Sequence, residues 1–182
     1  MLITQTPEDL IIHFNNGSVF AYPTEAVYGL GCDPQNETAV MRLLEIKQRP
    51  ISKGLILIAS DFSQVESYLK PLQQNQIAFT QASETTYIYP TRSDAPKWLT
   101  GDFDSLAVRI TKHPLVRELC NAVGSALVST SANLTGREPA KTADEVAIAL
   151  NGLIDVILDG EVGDLDKPTQ IRDSISGQII RA

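Results

Sequence analysis

The chain has 182 residues, 43% of them hydrophobic, and carries 22 acidic against 15 basic side chains for a formal charge of −7. That length and apolar content fit a single globular domain over residues 1–182 with a substantial core, and the acidic balance argues against a general coat for polyanions. No apolar run approaches the roughly 20 residues of a membrane span, so no membrane association is expected. Met1–Gln5 has neither the basic region nor the apolar core of a secretory signal, which makes a cytoplasmic location the default expectation.

Cys32 and Cys120 stand far apart outside any CxxC arrangement, and His13 and His113 are equally isolated. These spacings argue against a zinc site or a disulfide framework. Cys32 read as a nucleophile has to compete with the commoner role of a small buried hydrophobe.

Thr6-Pro7-Glu8-Asp9 reads as a helix start with Thr6 as N-cap, and Asn15-Asn16-Gly17 as its stop. Val19–Tyr22 is a short strand ended by Pro23. The segment 23–33, with Gly29 and Gly31, fits neither period and reads as a turn or a place where a ligand approaches closely. Asn36 caps a helix over 37–46, and the apolar run 55–59 is a strand. Residues 61–69 and, more weakly, 72–81 read as helices. The β-forming run 85–89 is a strand, 95–99 holds a short helical turn, and 106–110 is a further strand. Next come a helix over 114–123, a buried strand over 126–128, a polar loop over 129–136, a helix over 142–150 capped by Thr142, and a strand over 154–158. After an acidic loop, 159–166, the tail 170–181 alternates about Ser176-Gly177 as a hairpin. Interleaved helices and strands with a terminal hairpin predict an α/β fold with α+β features, built on a mixed parallel and antiparallel sheet.

Three places bear on function. From Arg42 to Lys53 there are four cations (Arg42, Lys47, Arg49, Lys53) against one anion (Glu45), a local +3 in an acidic chain. Such a cluster focuses a field on a small anion, although Lys47 and Arg49 could equally neutralise the C-terminal dipole of the preceding helix. In the loop from Ser129 to Gly136, hydroxyl and amide side chains suit phosphate oxygens, and equally suit turns that satisfy their own backbone. Arg109 stands inside an apolar strand, either as a ligand contact or as an outward-facing residue of a half-solvated sheet.

Pro23-Thr24-Glu25-Ala26-Val27-Tyr28-Gly29-Leu30-Gly31, Lys47-Gln48-Arg49-Pro50 and Ser129-Thr130-Ser131-Ala132-Asn133 together closely resemble the YrdC-like family, over nearly the whole chain. The resemblance implies a twisted mixed sheet flanked by helices with a concave, locally positive cavity. It implies a nucleotidyltransferase reaction in which L-threonine, bicarbonate and ATP give threonylcarbamoyl-AMP and pyrophosphate, for the threonylcarbamoyladenosine of ANN-decoding tRNA. It places the K-x-R motif on Lys47 and Arg49, the S-x-N motif on Ser131 and Asn133, and threonine-site residues at Thr24 and Arg109. Where relatives usually read Pro-Ser-Thr-Ile-x-Asp, this chain reads Pro168-Thr169-Gln170-Ile171-Arg172-Asp173, which keeps a hydroxyl at Thr169 and departs at Gln170.

Such chemistry needs no covalent nucleophile, because positioning and charge neutralisation carry most of it. Lys47 and Arg49 are expected at the reacting phosphate and carbamate, with Lys53, Ser129, Ser131 and Asn133 on ATP. Thr24, Arg109 and Thr169 are expected on threonine. Mg²⁺ is expected as a bridge between phosphates with no dedicated protein ligands. Transient contact with the tRNA threonylcarbamoyl transferase machinery is a further expectation. The alternative is a module that binds double-stranded RNA or tRNA through the same cations, although the acidic balance is unlike a dedicated RNA binder.

Overall fold

The computed structural model describes residues 1–182. Strands β1 (Leu2–Thr4), β2 (Phe20–Pro23), β3 (Tyr28–Gly31), β4 (Ile56–Ala59), β5 (Thr85–Pro90), β6 (Ser105–Ile110), β7 (Leu127–Ser131), β8 (Val156–Leu158), β9 (Gln170–Asp173) and β10 (Ile179–Arg181) form one ten-stranded sheet. Its order is β1-β8-β2-β3-β7-β4-β6-β5-β9-β10. The pairs β1–β8, β2–β8, β4–β6 and β5–β9 are parallel and the others antiparallel, so the sheet is mixed, as expected. The helices are α1 (Leu10–Asn15), α2 (Glu37–Ile46), α3 (Lys97–Thr100), α4 (Pro114–Val123) and α5 (Ala143–Ala149).

Because side chains alternate across a strand, each core strand feeds two separate apolar clusters. Ala21, Leu57, Val128 and Ile157 join the larger one, which α2 and α5 cover through Val40, Leu43 and Val146. Phe20, Tyr22, Ile58, Leu127, Val156 and Leu158 point the other way, into a cluster covered by α1 and α4 through Leu10, Phe14, Val116 and Leu119. On this second face the helices stop at β4. Farther along the same face, Ile56, Ser105, Ala107, Arg109, Ser129 and Ser131 line a cavity instead of a helix.

Several expectations change. The segment read as a turn after Pro23 contains β3, paired with β2 from Phe20↔Gly31 to Pro23↔Tyr28. Its glycines hide the strand pattern for a steric reason. A Cβ on Gly31 would lie 2.6 Å from the Val128 carbonyl oxygen and 2.7 Å from the Tyr22 ring. Strand β7 runs on to Ser131, so the expected polar loop begins three residues later than its hydroxyls suggested. The helices expected over 61–69 and 72–81 are 3₁₀ turns at Phe62–Gln64, Glu66–Tyr68 and Gln74–Thr80. Local side-chain bonds compete with the α-helix there: Asp61 accepts from the Ser63 N–H, and Gln76 accepts from the Gln73 N–H while donating to Ser174. Thr6 makes no side-chain cap, and the first turn is 3₁₀ over Pro7–Asp9. Asn36 and Thr142 cap as expected, accepting from Ala39 and Glu145. The short strand β1 carried no signal strong enough to read.

Candidate active site

The K-x-R segment is shaped by how α2 ends. The Gln48 N–H donates to the Glu45 carbonyl and the Arg49 N–H to the Leu44 carbonyl, the paired bonds of a Schellman motif. Its turning residue is Gln48, at φ 47°, the chain's one non-glycine residue in left-handed backbone. The reversal sends Lys47 and Arg49 to different places.

Lys47 is buried and turns into the S-x-N segment. Its Nζ donates to the Ser131 carbonyl at 2.7 Å, the Asn133 carbonyl at 2.6 Å and Asn133 Oδ1 at 2.7 Å. Ser131 Oγ donates to the same Asn133 Oδ1 at 2.6 Å, and Thr135 Oγ1 donates back to the Lys47 carbonyl. All three ammonium hydrogens are therefore engaged by neutral oxygens. Burial, helped by the nearby charge of Arg49, pushes the Lys47 amine down to about 8.

Arg49 faces the cavity, anchored by its Nη2 donating to the Gly54 carbonyl at 2.8 Å. Burial and the charge of Arg181 both lower its pKa. The cavity has a volume of about 470 Å³ and is lined by four cations, Arg49, Lys53, Arg109 and Arg181, with no carboxylate among its lining side chains. The wall carrying Lys53 is held by glycines in close contact: Gly54 (φ 60°) packs on the Thr100 carbonyl, and Gly101 (φ 61°) on the carbonyls of Ile51 and Ser52.

Arg109, 8% exposed, donates through Nη1 to Thr169 Oγ1 at 3.1 Å. The Thr169 hydroxyl also bonds Thr86 Oγ1 at 2.9 Å. Arg109 Nη2 lies 3.5 Å from Glu25 Oε2, close enough for attraction but not aligned as a hydrogen bond, so Glu25 Oε2 has no donor. The Nε groups of Arg49 and Arg109 are likewise buried without an acceptor. Such unpartnered donors are rare in folded proteins, and acceptor oxygens are what an anionic ligand brings.

Of the expected site residues, Thr24, Arg49, Lys53, Arg109, Ser129, Ser131 and Thr169 come together on this cavity. Lys47 and Asn133 do not line it and stand behind Ser131, because their polar groups are already bonded to one another. Arg42 leaves the basic cluster altogether. It forms a two-pronged pair with Asp155 at 2.6 and 3.1 Å on the far side of α2. Gln170 is outside the cavity lining and accepts from Arg172 Nε. Sequence reasoning missed Arg181, which donates to the Thr169 carbonyl at 3.0 Å, and Glu25. Arg181 shows in the sequence only as the cation ending an apolar strand, and Glu25 only as an acid inside an otherwise uncharged, glycine-rich motif.

A relative from Klebsiella pneumoniae named threonylcarbamoyl-AMP synthase is 50% identical over 184 residues, covering 96% of both chains. One of the same name from Escherichia coli K12 is 50% identical over 92% of this chain and 90% of the relative. Among solved structures, Pyrococcus abyssi Sua5 complexed with L-threonine superposes with a TM-score of 0.86 at 26% identity, over 94% of this chain. This chain spans about half of that one, 53% of its length. E. coli YciO superposes at 0.80 with 23% identity and shares the fold. The family model for Sua5, YciO and YrdC proteins, described as telomere recombination, matches residues 13–182. Motifs and sheet thus agree with the comparisons, and the chain belongs to the Sua5/YciO/YrdC family.

Proposed function

We propose that the protein is a threonylcarbamoyl-AMP synthase, joining L-threonine, bicarbonate and ATP and releasing pyrophosphate. The observation that carries this reading is the cavity of about 470 Å³ with four cations and no carboxylate on its wall, in a chain of formal charge −7. Half-identical relatives bearing that name support it.

The chemistry runs in two steps. The amine of threonine attacks CO2 derived from bicarbonate and loses a proton to give a carbamate. A carbamate oxygen then attacks the α-phosphorus of ATP, the bond to the bridging oxygen breaks, and pyrophosphate leaves. The protein's part is to hold two anionic reactants in contact and to offset the charge that builds on the phosphates. Arg49, Lys53 and Arg181 surround the phosphates, with the Ser129 and Ser131 hydroxyls beside them. Arg109 and Thr169, with Thr24 nearby, take the threonine carboxylate and hydroxyl. A planar guanidinium suits bidentate contact with a carboxylate. Lys47 and Asn133 serve the reaction from behind by fixing Ser131.

No group of three or more His, Cys, Asp or Glu side chains could hold a metal ion, and no carboxylate lines the cavity. In this proposal Mg²⁺ bridges the phosphates of ATP and arrives with ATP as part of the substrate. No helix is long and apolar enough to cross a membrane, and a reaction that consumes ATP points to the cytoplasm. The labile product favours a transient contact with the transferase that carries it to tRNA. The RNA-binding reading gains nothing from this geometry, because Lys47 and Arg109 are buried and Arg42 is paired with Asp155.

The test is pyrophosphate release by purified protein with MgATP, with and without bicarbonate and L-threonine, and with serine as control. Release that requires both bicarbonate and threonine is the expected result. Release indifferent to threonine, or none at all, overturns the proposal.

A further inference from the structure

Four cations surround the cavity, but only one of them has a carboxylate beside it. Arg49 is anchored on the Gly54 carbonyl and Arg181 on the Thr169 carbonyl. Of the four, Arg109 alone forms an ion pair, with Glu25 Oε2 at 3.5 Å. Glu25 is 5% exposed and is not on the cavity wall, although its neighbours Thr24 and Ala26 are. Its carboxylate meets Arg109 away from the lining of this cavity and borders a separate hollow shared with Lys112 and His113.

Glu25 is held from several directions. Thr111 Oγ1 donates to Oε1 at 2.5 Å. The backbone on either side is strapped to the acidic loop, Gly163 N–H donating to the Thr24 carbonyl at 2.9 Å and Leu165 N–H to the Glu25 carbonyl at 3.0 Å. Gly163 packs so closely that a Cβ there would lie 2.8 Å from the Glu25 carbonyl oxygen. A charge fixed this firmly acts as a permanent part of the field in the cavity rather than as a mobile counterion.

On the synthase reading above, we infer that Glu25 is a positioning residue that sorts two anions within one cavity. Its charge offsets Arg109, so that the site at Arg109 takes a singly charged carboxylate and disfavours a polyphosphate. The triphosphate is left to Arg49 and Lys53, which have no carboxylate partner, with Arg181 between them and Thr169. Repulsion from Glu25 grows with the charge on the ligand, so one fixed anion discriminates between the two reactants, and rejecting the wrong ligand is as much a part of specificity as attracting the right one. Glu25 also steadies the guanidinium that receives the carboxylate.

The test uses inorganic triphosphate as probe against the full-length protein. With wild type, triphosphate competes with ATP and not with threonine. In Glu25→Gln, which keeps the shape and an acceptor for Thr111, triphosphate becomes competitive with threonine. The threonine KM rises about tenfold while kcat stays within about threefold, the pattern of a lost uniform binding interaction. Glu25→Asp retains the charge and keeps triphosphate from competing with threonine. Glu25→Gln in which triphosphate still fails to compete with threonine overturns the inference. If that variant does not fold, Thr111→Val decides: it releases Oε1 but leaves the charge, and an unchanged threonine KM overturns the positioning role. Should wild type show no turnover, the synthase reading fails separately. Calorimetry then reads the sorting directly, with threonine and triphosphate binding together to wild type and excluding each other in Glu25→Gln; joint binding to both proteins, or to neither, refutes it.

Discussion

The Lys47 ammonium lies 2.7 Å from the Ser131 carbonyl oxygen and 2.7 Å from Asn133 Oδ1, so one buried amine ties the K-x-R segment to the S-x-N segment 84 and 86 residues away in sequence. Its protonation is thereby coupled to folding. In the fold the amine titrates near 8, against an ordinary value of 10.5. Between those values the unfolded chain binds more protons, so the contribution of Lys47 to stability rises with pH. Urea unfolding of wild type and Lys47→Met at about pH 7.5 and about pH 10 measures it. The difference in unfolding free energy shifts in favour of wild type at the higher pH; a flat or opposite difference refutes the coupling.

Arg49 and Arg181 both line the cavity, close enough for the charge of Arg181 to act on Arg49, and neither has a carboxylate partner. Replacing Arg181 by Ala raises the KM for ATP roughly tenfold, about 1.4 kcal/mol. Arg49→Ala lowers kcat/KM by on the order of a hundredfold or more, since it removes a donor needed as charge develops. Steady-state pyrophosphate release reports both, and Arg49→Ala with near-normal release would falsify the assignment of Arg49.

Gln48 occupies a left-handed turn at φ 47° that glycine adopts without a steric penalty. Gln48→Gly is expected to raise unfolding free energy by about 0.5–1 kcal/mol, since the relief of strain outweighs the added freedom of the unfolded chain. Chemical denaturation checks this, and a loss of stability contradicts it.

Gly101 combines φ 61° with a Cβ position 2.5 Å from the Ser52 carbonyl oxygen and 2.7 Å from the Gly54 nitrogen. Backbone, not a flexible side chain, stands in the way, so Gly101→Ala is expected to cost about 1–3 kcal/mol and to displace Lys53. Thermal unfolding and the KM for ATP both move if this is right; an unchanged KM shows that the wall does not set the position of Lys53.

What could be read from the sequence follows from whether a signal was local. Asn36 and Thr142 announce their helices through capping chemistry that lies within four residues. The α/β pattern followed from interleaved periods, and the terminal hairpin from Ser176-Gly177. Strand β3 stayed hidden because Gly29 and Gly31 answer to Tyr22, Thr130 and Val128, partners that only the folded sheet brings near. The basic cluster from Arg42 to Lys53 was visible as composition, but its division was not. Arg42 goes to Asp155, Lys47 to Asn133 and Arg49 to the cavity, and that division is set by one left-handed residue and by contacts across the chain. Glu25 and Arg181 gain their place only through strands that meet from distant parts of the sequence.

The cavity has walls of unequal strength. Ser129 and Ser131 lie on β7, hydrogen-bonded to β3 on one side and β4 on the other, whereas Arg181 lies on β10, which pairs only with β9 at the sheet's margin. Opening free energies in native proteins fall from core strands toward edges. Amide protons on β7 should therefore exchange with solvent only when the whole molecule unfolds, and those on β10 through local fraying. The β10 side is thus the wall that loosens first, while Ser129 and Ser131 are held in register between two strands.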